Sequence, residues 1–367
     1  MAINENAHAK VHAGIASLNP YQPGKPIDEL ARELGITDIV KLASNENPRG
    51  PGELVQRAIA SEAANLSRYP DGSGYQLKAA LGQQLGVNLE QITLGNGSND
   101  VLDLITRVVA GPGQSGVVGE HAFVVYRIAL ACAGARMIEV PAVDYGNDLA
   151  GIANAVDDTT TVIYIANPNN PTGTWVDSAA LEGFLARVPE QVWVVLDEAY
   201  CEYTEGHDVS DGIALLERYP NLVVTRTFSK IHGLAALRIG YAVSSPEFAD
   251  LLNRVRQPFN VNSLGLAAAT AALADQEYVS HSRTANAEGL GQLQAGLARQ
   301  GYDCIPSLGN FVTFDCGRPG PELFNALLPL GVIVRPVAEY GLPNHIRVSV
   351  GLPDENQRFL DALSELA

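Results

Sequence analysis

Arg226-Thr227-Phe228-Ser229-Lys230-Ile231-His232-Gly233-Leu234-Ala235-Ala236-Leu237-Arg238 lies between two apolar runs, Leu222-Val223-Val224-Thr225 and Ile239-Gly240-Tyr241-Ala242-Val243. Each run reads as a buried strand. A lysine at the end of such a strand is poorly placed for a solvated charge, because lysine stays in water unless it is paired or its pKa is lowered. A desolvated, partly deprotonated lysine is a nucleophile, and with a carbonyl it forms a Schiff base. Ser229 on one side and Arg238 on the other could hold an anion such as a phosphate. Read alone, the same residues also describe a strand-end lysine reaching to solvent and an arginine in a surface ion pair. The neighbouring strands have to decide.

Towards the N-terminus the same design recurs. Val192-Trp193-Val194-Val195-Leu196 is wholly apolar and ends in Asp197-Glu198-Ala199-Tyr200, an acidic pair that is costly there without a partner. Thr161-Val162-Ile163-Tyr164-Ile165-Ala166 ends in Asn167-Pro168-Asn169-Asn170-Pro171-Thr172-Gly173, where two Asn-Pro units fix a rigid loop. Val117-Val118 leads to Phe123 and Tyr126 at a strand-to-helix junction. Ile92-Thr93-Leu94 leads to Gly95-Asn96-Gly97-Ser98-Asn99-Asp100 and a helical pattern over 101–109. Small residues at a helix start let backbone N–H groups approach a phosphate, which the helix dipole favours. Apolar strands alternate with helices, and the polar chemistry falls at the strands' C-terminal ends. That is a doubly wound α/β arrangement around a mostly parallel sheet, with its ligand beyond the carboxyl edge.

The flanks read differently. A polar arm is followed by Ser17-Leu18-Asn19-Pro20-Tyr21, a helical pattern at 27–34 and the turn Lys41-Leu42-Ala43-Ser44-Asn45-Glu46-Asn47-Pro48. Tyr21, set beside Pro20 and near Pro23, either presents its ring and hydroxyl to a ligand or anchors the arm. The loop Arg68-Tyr69-Pro70-Asp71-Gly72-Ser73-Gly74-Tyr75 opens a helix near Gln76 and reads equally as linker or site. From about Asn262 the chain becomes Ala-rich and helical over 263–273 and most of 279–300. Short strands at 302–305, 311–314, 331–335 and 345–350 then alternate with helical patterns at 321–328 and 356–366. The expected division is an arm and part of a small domain at 1–45, a large domain at 46–262, and a smaller α+β domain at 263–367.

Composition narrows the function. The 367 residues suffice for two domains, and 46% hydrophobic with 18% charged residues is ordinary for a globular protein. Lys+Arg 24 against Asp+Glu 41 gives a net charge of −17, which argues against nucleic acid and anionic membranes as partners while allowing a local cationic pocket. Cys132, Cys201, Cys304 and Cys316 form no CxxC pair, and Cys132 and Cys201 sit in apolar surroundings, so buried thiols are expected rather than disulfides or a metal site. The start has no signal-like apolar region and no run approaches transmembrane length, so a cytoplasmic protein is expected.

Together the strand ends supply an amine (Lys230), a carboxylate (Asp197), an amide (Asn170), a phenol (Tyr200), a ring (Phe123) and an anion cradle (Gly97, Ser98, Asn99, Ser229, Arg238). The set fits pyridoxal 5′-phosphate, a flat, anionic, aldehyde-bearing heteroaromatic. Lys230 would bond its aldehyde, Asp197 would keep the ring nitrogen protonated, Asn170 and Tyr200 would bond the ring oxygen, and Phe123 would stack on the ring.

At these residues the sequence resembles the fold-type-I pyridoxal-phosphate aminotransferases and, within them, the histidinol-phosphate aminotransferases. The resemblance covers nearly the whole chain. It rests on SLNPY (17–21), KLASNENP (41–48), RYPD (68–71), GNGSND (95–100), NPNNPTG (167–173), DEAY (197–200), RTFSKIHGLAALR (226–238) and IRVSVG (346–351). It implies transfer of the amino group of L-histidinol phosphate to 2-oxoglutarate in a ping-pong cycle. It also implies a homodimer with shared sites, in which Tyr69 crosses to the neighbouring subunit's cofactor phosphate. Arg347 would grip the substrate's acidic group, with Arg335, Tyr21 and Asn45 as further substrate contacts. His232, where Tyr or Phe is expected, and Arg49, where an apolar residue is commoner, depart from the pattern beside the site. Two enzyme alternatives share the cofactor residues: an aromatic amino-acid aminotransferase and a threonine-phosphate decarboxylase. A cofactor-bound sensor without chemistry is the alternative of another class.

Overall fold

The computed structural model describes residues 13–16, 18–20 and 24–366. Its strands are β1 (Val40–Lys41), β2 (Ile92–Gly95), β3 (Ser115–Gly119), β4 (Arg136–Val140), β5 (Thr160–Ala166), β6 (Trp193–Asp197), β7 (Leu222–Thr227), β8 (Gly240–Val243), β9 (Cys304–Ile305), β10 (Phe311–Asp315), β11 (Val332–Ile333), β12 (Arg335–Pro336) and β13 (His345–Ser349).

Seven of them form the large sheet in the order β2-β8-β7-β6-β5-β3-β4. The pairs among β4, β3, β5, β6 and β7 are parallel, whereas β8 runs antiparallel to both β7 and β2. β2, β3, β5, β6 and β7 therefore end on one edge, and the reversed β8 begins there. That single inversion brings Arg238, just before β8, to the edge where Lys230 follows β7. Helices cover both faces, so the central strands are buried throughout: Val194, Val195 and Leu196 of β6 are fully buried, each side chain contributing about 1.5–3 kcal/mol. The edge strand β4 was not legible as a strand. Only its last residue, Val140, is buried, and Arg136 and Glu139 face solvent, so the apolar signal is missing.

The smaller sheet has the order β12-β13-β10-β9 and is antiparallel, while β1 and β11 form a separate parallel pair. The apolar run expected as one strand at 331–335 is thus two short strands serving two sheets. Val312, Phe314, Ile346 and Val348 pack with Leu293 and Leu297 of the helix Gln276–Arg299 and Phe359, Leu360 and Leu363 of the helix Pro353–Glu365. Leu42 joins this core, so the segment after the arm is part of the small domain's packing.

The expected boundary at 262 shifts on packing grounds. Ala268, Ala269, Ala272 and Leu273 of the helix Ser263–Ala274 belong to the large sheet's core. Alanine spacing on a helix allows close approach to whatever neighbour the chain provides, and composition does not say which. We place the division at Asp275, whose side chain caps the next helix.

Candidate active site

A cavity of about 400 Å³ lies where the carboxyl edge of the large sheet faces the small domain. Ser98, Asn99, Phe123, Asn170, Asp197, Tyr200, Ser229, Lys230 and Arg238 line it from the large sheet, and Asn45, Arg335 and Arg347 from the other side.

Lys230 follows β7 and has its Nζ 5.6 Å from the centre of the Tyr200 ring. Its pKa is lowered to about 8, first by burial, then by the Arg347 charge, with Arg238 a smaller contributor and Glu46 and Asp197 opposing. About a tenth of the amine is therefore neutral at pH 7. Tyr200 is buried, and its hydroxyl accepts a hydrogen bond from Asn45 Nδ2 at 2.9 Å.

The two acids that end β6 are resolved separately. Glu198 receives Arg226 Nε at 2.9 Å and Nη2 at 2.6 Å, and Arg226 also pairs with Asp211 at 2.6 Å. Asp197 is 5% exposed and has a different partner: Tyr126 donates to its Oδ2 at 2.7 Å, while its Oδ1 is buried and finds no hydrogen-bond donor among the described residues. Burial raises the Asp197 pKa, against the pull of the Tyr126 hydrogen bond and, less, of the Lys230 charge. An orphaned carboxylate oxygen lining a cavity is an offer to a cationic donor.

The anion cradle is equally specific. Gly97 caps the helix Ser98–Val109 at φ +86°, and a Cβ there would meet Arg238 Nη2 at 2.6 Å. Val101, Leu102, Leu104, Ile105 and Val109 bury one face of that helix, which pins its N-terminus at the cavity. Arg238 itself has φ +53° and is held by an Nη1 hydrogen bond to Ala235 O at 3.0 Å. Thr227, unanticipated from sequence, also lines the cavity and accepts from the Ser229 N–H at 3.1 Å.

On the opposite wall Arg347 and Arg335 are register partners on β13 and β12. Like charges so placed repel. Arg335 is paired with Glu339, and Arg347 donates to Asn170 Oδ1 at 2.5 Å and to Ala43 O at 2.8 Å. Asn170 lies in the loop after β5, where both Asn-Pro bonds are cis. Asn45, at φ +54° and 1% exposed, is locked by Ser349 and Asn310 as well as Tyr200, so it braces the wall. Glu46 and Tyr340 also line the cavity and were not singled out from sequence.

Three residues singled out from the sequence, Tyr69, His232 and Arg49, do not line this cavity. Tyr69 is 83% exposed, stacked on Phe259 with ring centres 4.8 Å apart, and does not line the cavity of its own chain. Tyr21 lies outside the described residues. His232 is buried against Phe228, with its Nε2 3.8 Å from Glu202, and Arg49 lies over the Tyr278 ring. Neither lines the main cavity, so these departures from the family pattern do not touch the ligand space. Tyr126, named in the sequence only as an aromatic at a strand-to-helix junction, was given no role there. Its signal was present: it stands three positions after Phe123 at a helix start, a spacing that puts both on one face.

These features fit a flat ligand that carries an anion at one end, a basic ring nitrogen and a carbonyl. The chain matches the model of the family "Aminotransferase class I and II" over residues 37–363. It is 56% identical to histidinol-phosphate aminotransferase 2 of Pseudomonas fluorescens, across 98% of this chain and 97% of that protein. It is 55% identical to the protein of the same name from Pseudomonas aeruginosa, across 98% of each. The chain belongs to the histidinol-phosphate aminotransferases of this family. The solved histidinol-phosphate aminotransferase of Sinorhizobium meliloti, in complex with pyridoxal 5′-phosphate, is 31% identical and superposes with a TM-score of 0.88 over 98% of this chain and 99% of that one. An aspartate aminotransferase of Thermus thermophilus, 23% identical with a TM-score of 0.84 over 97% of this chain and 98% of that one, shares the fold. Among the described residues no group of side chains could hold a metal ion, and no helix is long and apolar enough to cross a membrane.

Proposed function

We propose that this chain transfers the amino group of L-histidinol phosphate to 2-oxoglutarate, giving imidazole acetol phosphate and glutamate, as a step of histidine biosynthesis. The cofactor is pyridoxal 5′-phosphate. The observation that carries the reading is one cavity lined by a neutralisable amine (Lys230), a carboxylate with a free buried oxygen (Asp197) and a pair of adjacent arginines (Arg335, Arg347).

When bound, the cofactor supplies an aldehyde that captures amino groups and a pyridinium ring that accepts the electrons released at the substrate Cα. Ser98, Asn99, Ser229 and Arg238, with the helix N-terminus, would hold its phosphate, and Gly97 leaves Arg238 room to do so. Asp197 would hold the ring nitrogen in its protonated form, Tyr200 and Asn170 would bond the ring oxygen, and Phe123 would cover a ring face. Lys230 holds the cofactor between turnovers and, once released by the substrate amine, its Nζ takes the proton from Cα. A pKa near 8 suits that task near neutrality.

Arg347 and Arg335 grip the substrate's acidic group. The planar guanidinium fork accepts a phosphate or a carboxylate, so one pair serves both the phosphate of the first substrate and the acid groups of 2-oxoglutarate in turn. The arrangement is a homodimer with shared sites: Tyr69, exposed here and backed by Phe259, reaches the partner's cofactor phosphate, and Tyr21 belongs to the substrate-binding set. The four cysteines are free thiols, in keeping with a cytoplasmic setting, although Cys132 is exposed and Cys201 half-buried where buried thiols were expected: the apolar residues beside Cys132 in sequence lie on other faces of its helix.

Turnover of the cofactor-loaded chain on L-histidinol phosphate and on phenylalanine, each with 2-oxoglutarate, tests the reading. A strong preference for histidinol phosphate is expected. A preference for phenylalanine would make it an aromatic aminotransferase, and carbon dioxide release without an oxo product would make it a decarboxylase.

A further inference from the structure

Tyr126 is the first residue on the large domain's side that touches the chemistry without lining the cavity. It is 1% exposed, and its hydroxyl donates to Asp197 Oδ2 at 2.7 Å. Its ring is clamped from two directions. Tyr164 stacks on it with centres 4.8 Å apart, and Tyr164 is in turn fixed by a 2.6 Å hydrogen bond to Thr106. Phe123, which does line the cavity, meets it edge-on at 5.8 Å. One buried ring therefore abuts both the carboxylate and the aromatic wall of the site.

We propose that Tyr126 is a positioning residue whose hydroxyl holds Asp197 as an oriented carboxylate with Oδ1 left for a ring N–H, so that the chain selects a cofactor with a basic ring nitrogen. This rests on the pyridoxal-phosphate reading above and extends it to a residue outside the cavity. Three observations carry it. A carboxylate has two oxygens, and here a fixed donor occupies Oδ2, while among the described residues none is in hydrogen-bonding geometry with Oδ1, the Thr225 hydroxyl and Ala199 N–H being neighbours of the group. The polar and charged groups that face Asp197 are Tyr126, Thr225, the Ala199 N–H and Lys230, and of the contacts that keep it ionised against burial the Tyr126 hydrogen bond is the largest. Burial holds the Tyr126 phenol far above its ordinary pKa, so it remains a donor across the working pH range.

The test uses the apo chain and two ligands: pyridoxal 5′-phosphate, and its analogue with C–H in place of the ring nitrogen. Dissociation constants are measured for the unaltered chain, Tyr126→Phe and Tyr164→Phe, with a thermal melt of each. Tyr164→Phe removes a hydroxyl from the same aromatic stack without touching Asp197, and it controls for packing. The unaltered chain and Tyr164→Phe are expected to prefer the nitrogen-bearing ligand equally. Tyr126→Phe is expected to lose about tenfold of that preference, the size of one hydrogen bond to a charged group. In the loaded enzyme kcat is expected to fall with KM nearly unchanged. An undiminished preference in Tyr126→Phe, an equal loss in Tyr164→Phe, or a Tyr126→Phe chain that alone fails to fold would each overturn the positioning role. If the unaltered chain bound neither ligand, the cofactor reading itself would fall, which is a separate result.

Discussion

The two walls of the cavity are built on opposite principles. On the large-sheet side the two acids after β6 are each met by something of complementary character, Glu198 by Arg226 and Asp197 by the Tyr126 hydroxyl, and a helix N-terminus faces the cavity. On the small-sheet wall two arginines are register partners on neighbouring strands, with like charges side by side. Such a pair is destabilising by itself, and Glu339, Asn170 and Ala43 are among the groups that meet it. The first wall presents fixed partners for its acids and a helix N-terminus suited to an anion. The second is arranged for an anion that comes and goes. On the proposed function, reaction type would reside on the large sheet and substrate choice on the small one.

Substitutions on the two walls should separate accordingly. The largest effect is expected at Lys230. Lys230→Ala should abolish transamination by at least about 10⁴-fold and remove the absorbance of the lysine-bound cofactor, because base and anchor go together. Steady-state kinetics and a spectrum check both. Asp197→Asn should lower kcat by about 10²–10³-fold with KM little changed, since a neutral amide cannot keep the ring nitrogen charged. If it instead raised KM alone, the division between the walls would be wrong.

Arg347→Ala should do the converse. KM for histidinol phosphate and for 2-oxoglutarate should rise together by about 10²-fold, the loss of a charge-assisted fork. The same change tests a link between the walls. Lys230 must be neutral to capture the cofactor aldehyde. Its pKa of about 8 means that capture by the apo chain should speed up roughly tenfold per pH unit below 8 and level off above it. Removing Arg347, the largest charge contribution that lowers this pKa, should move the levelling point upwards. Stopped-flow mixing of apo chain and cofactor across pH 6–10 reads the shift, and an unmoved profile would mean the walls are electrostatically independent. The smallest effect is expected at His232. Because it does not line the cavity, His232→Phe should change the preference between histidinol phosphate and phenylalanine by no more than about twofold.

Legibility in the sequence followed the same division. The large-sheet wall was readable because its central strands are mostly apolar and hand their polar residues to one edge, as at Leu196-Asp197 and Thr227-Phe228-Ser229-Lys230. The inverted β8 was not readable, since antiparallel and parallel buried strands carry the same apolar signal. Yet that inversion is what brings Arg238 back to the edge. Arg335 and Arg347 were picked out by resemblance to a family and not by pattern, because their pairing depends on register between short strands. Tyr126 was given no role because a buried tyrosine in an apolar helix looks like core until its hydroxyl's partner is known. The helix Ser263–Ala274 was assigned to the wrong side because alanine content says that a helix packs closely without saying against what.

The most direct measurement is a single half-reaction. The cofactor-loaded chain is mixed with L-histidinol phosphate and no oxo acid, and the cofactor spectrum and released products are followed together. The expected result is rapid loss of the lysine-bound cofactor absorbance, with one equivalent of imidazole acetol phosphate per site, no carbon dioxide, and a much slower response to phenylalanine. An unchanged spectrum, or a faster response to phenylalanine than to histidinol phosphate, would contradict it.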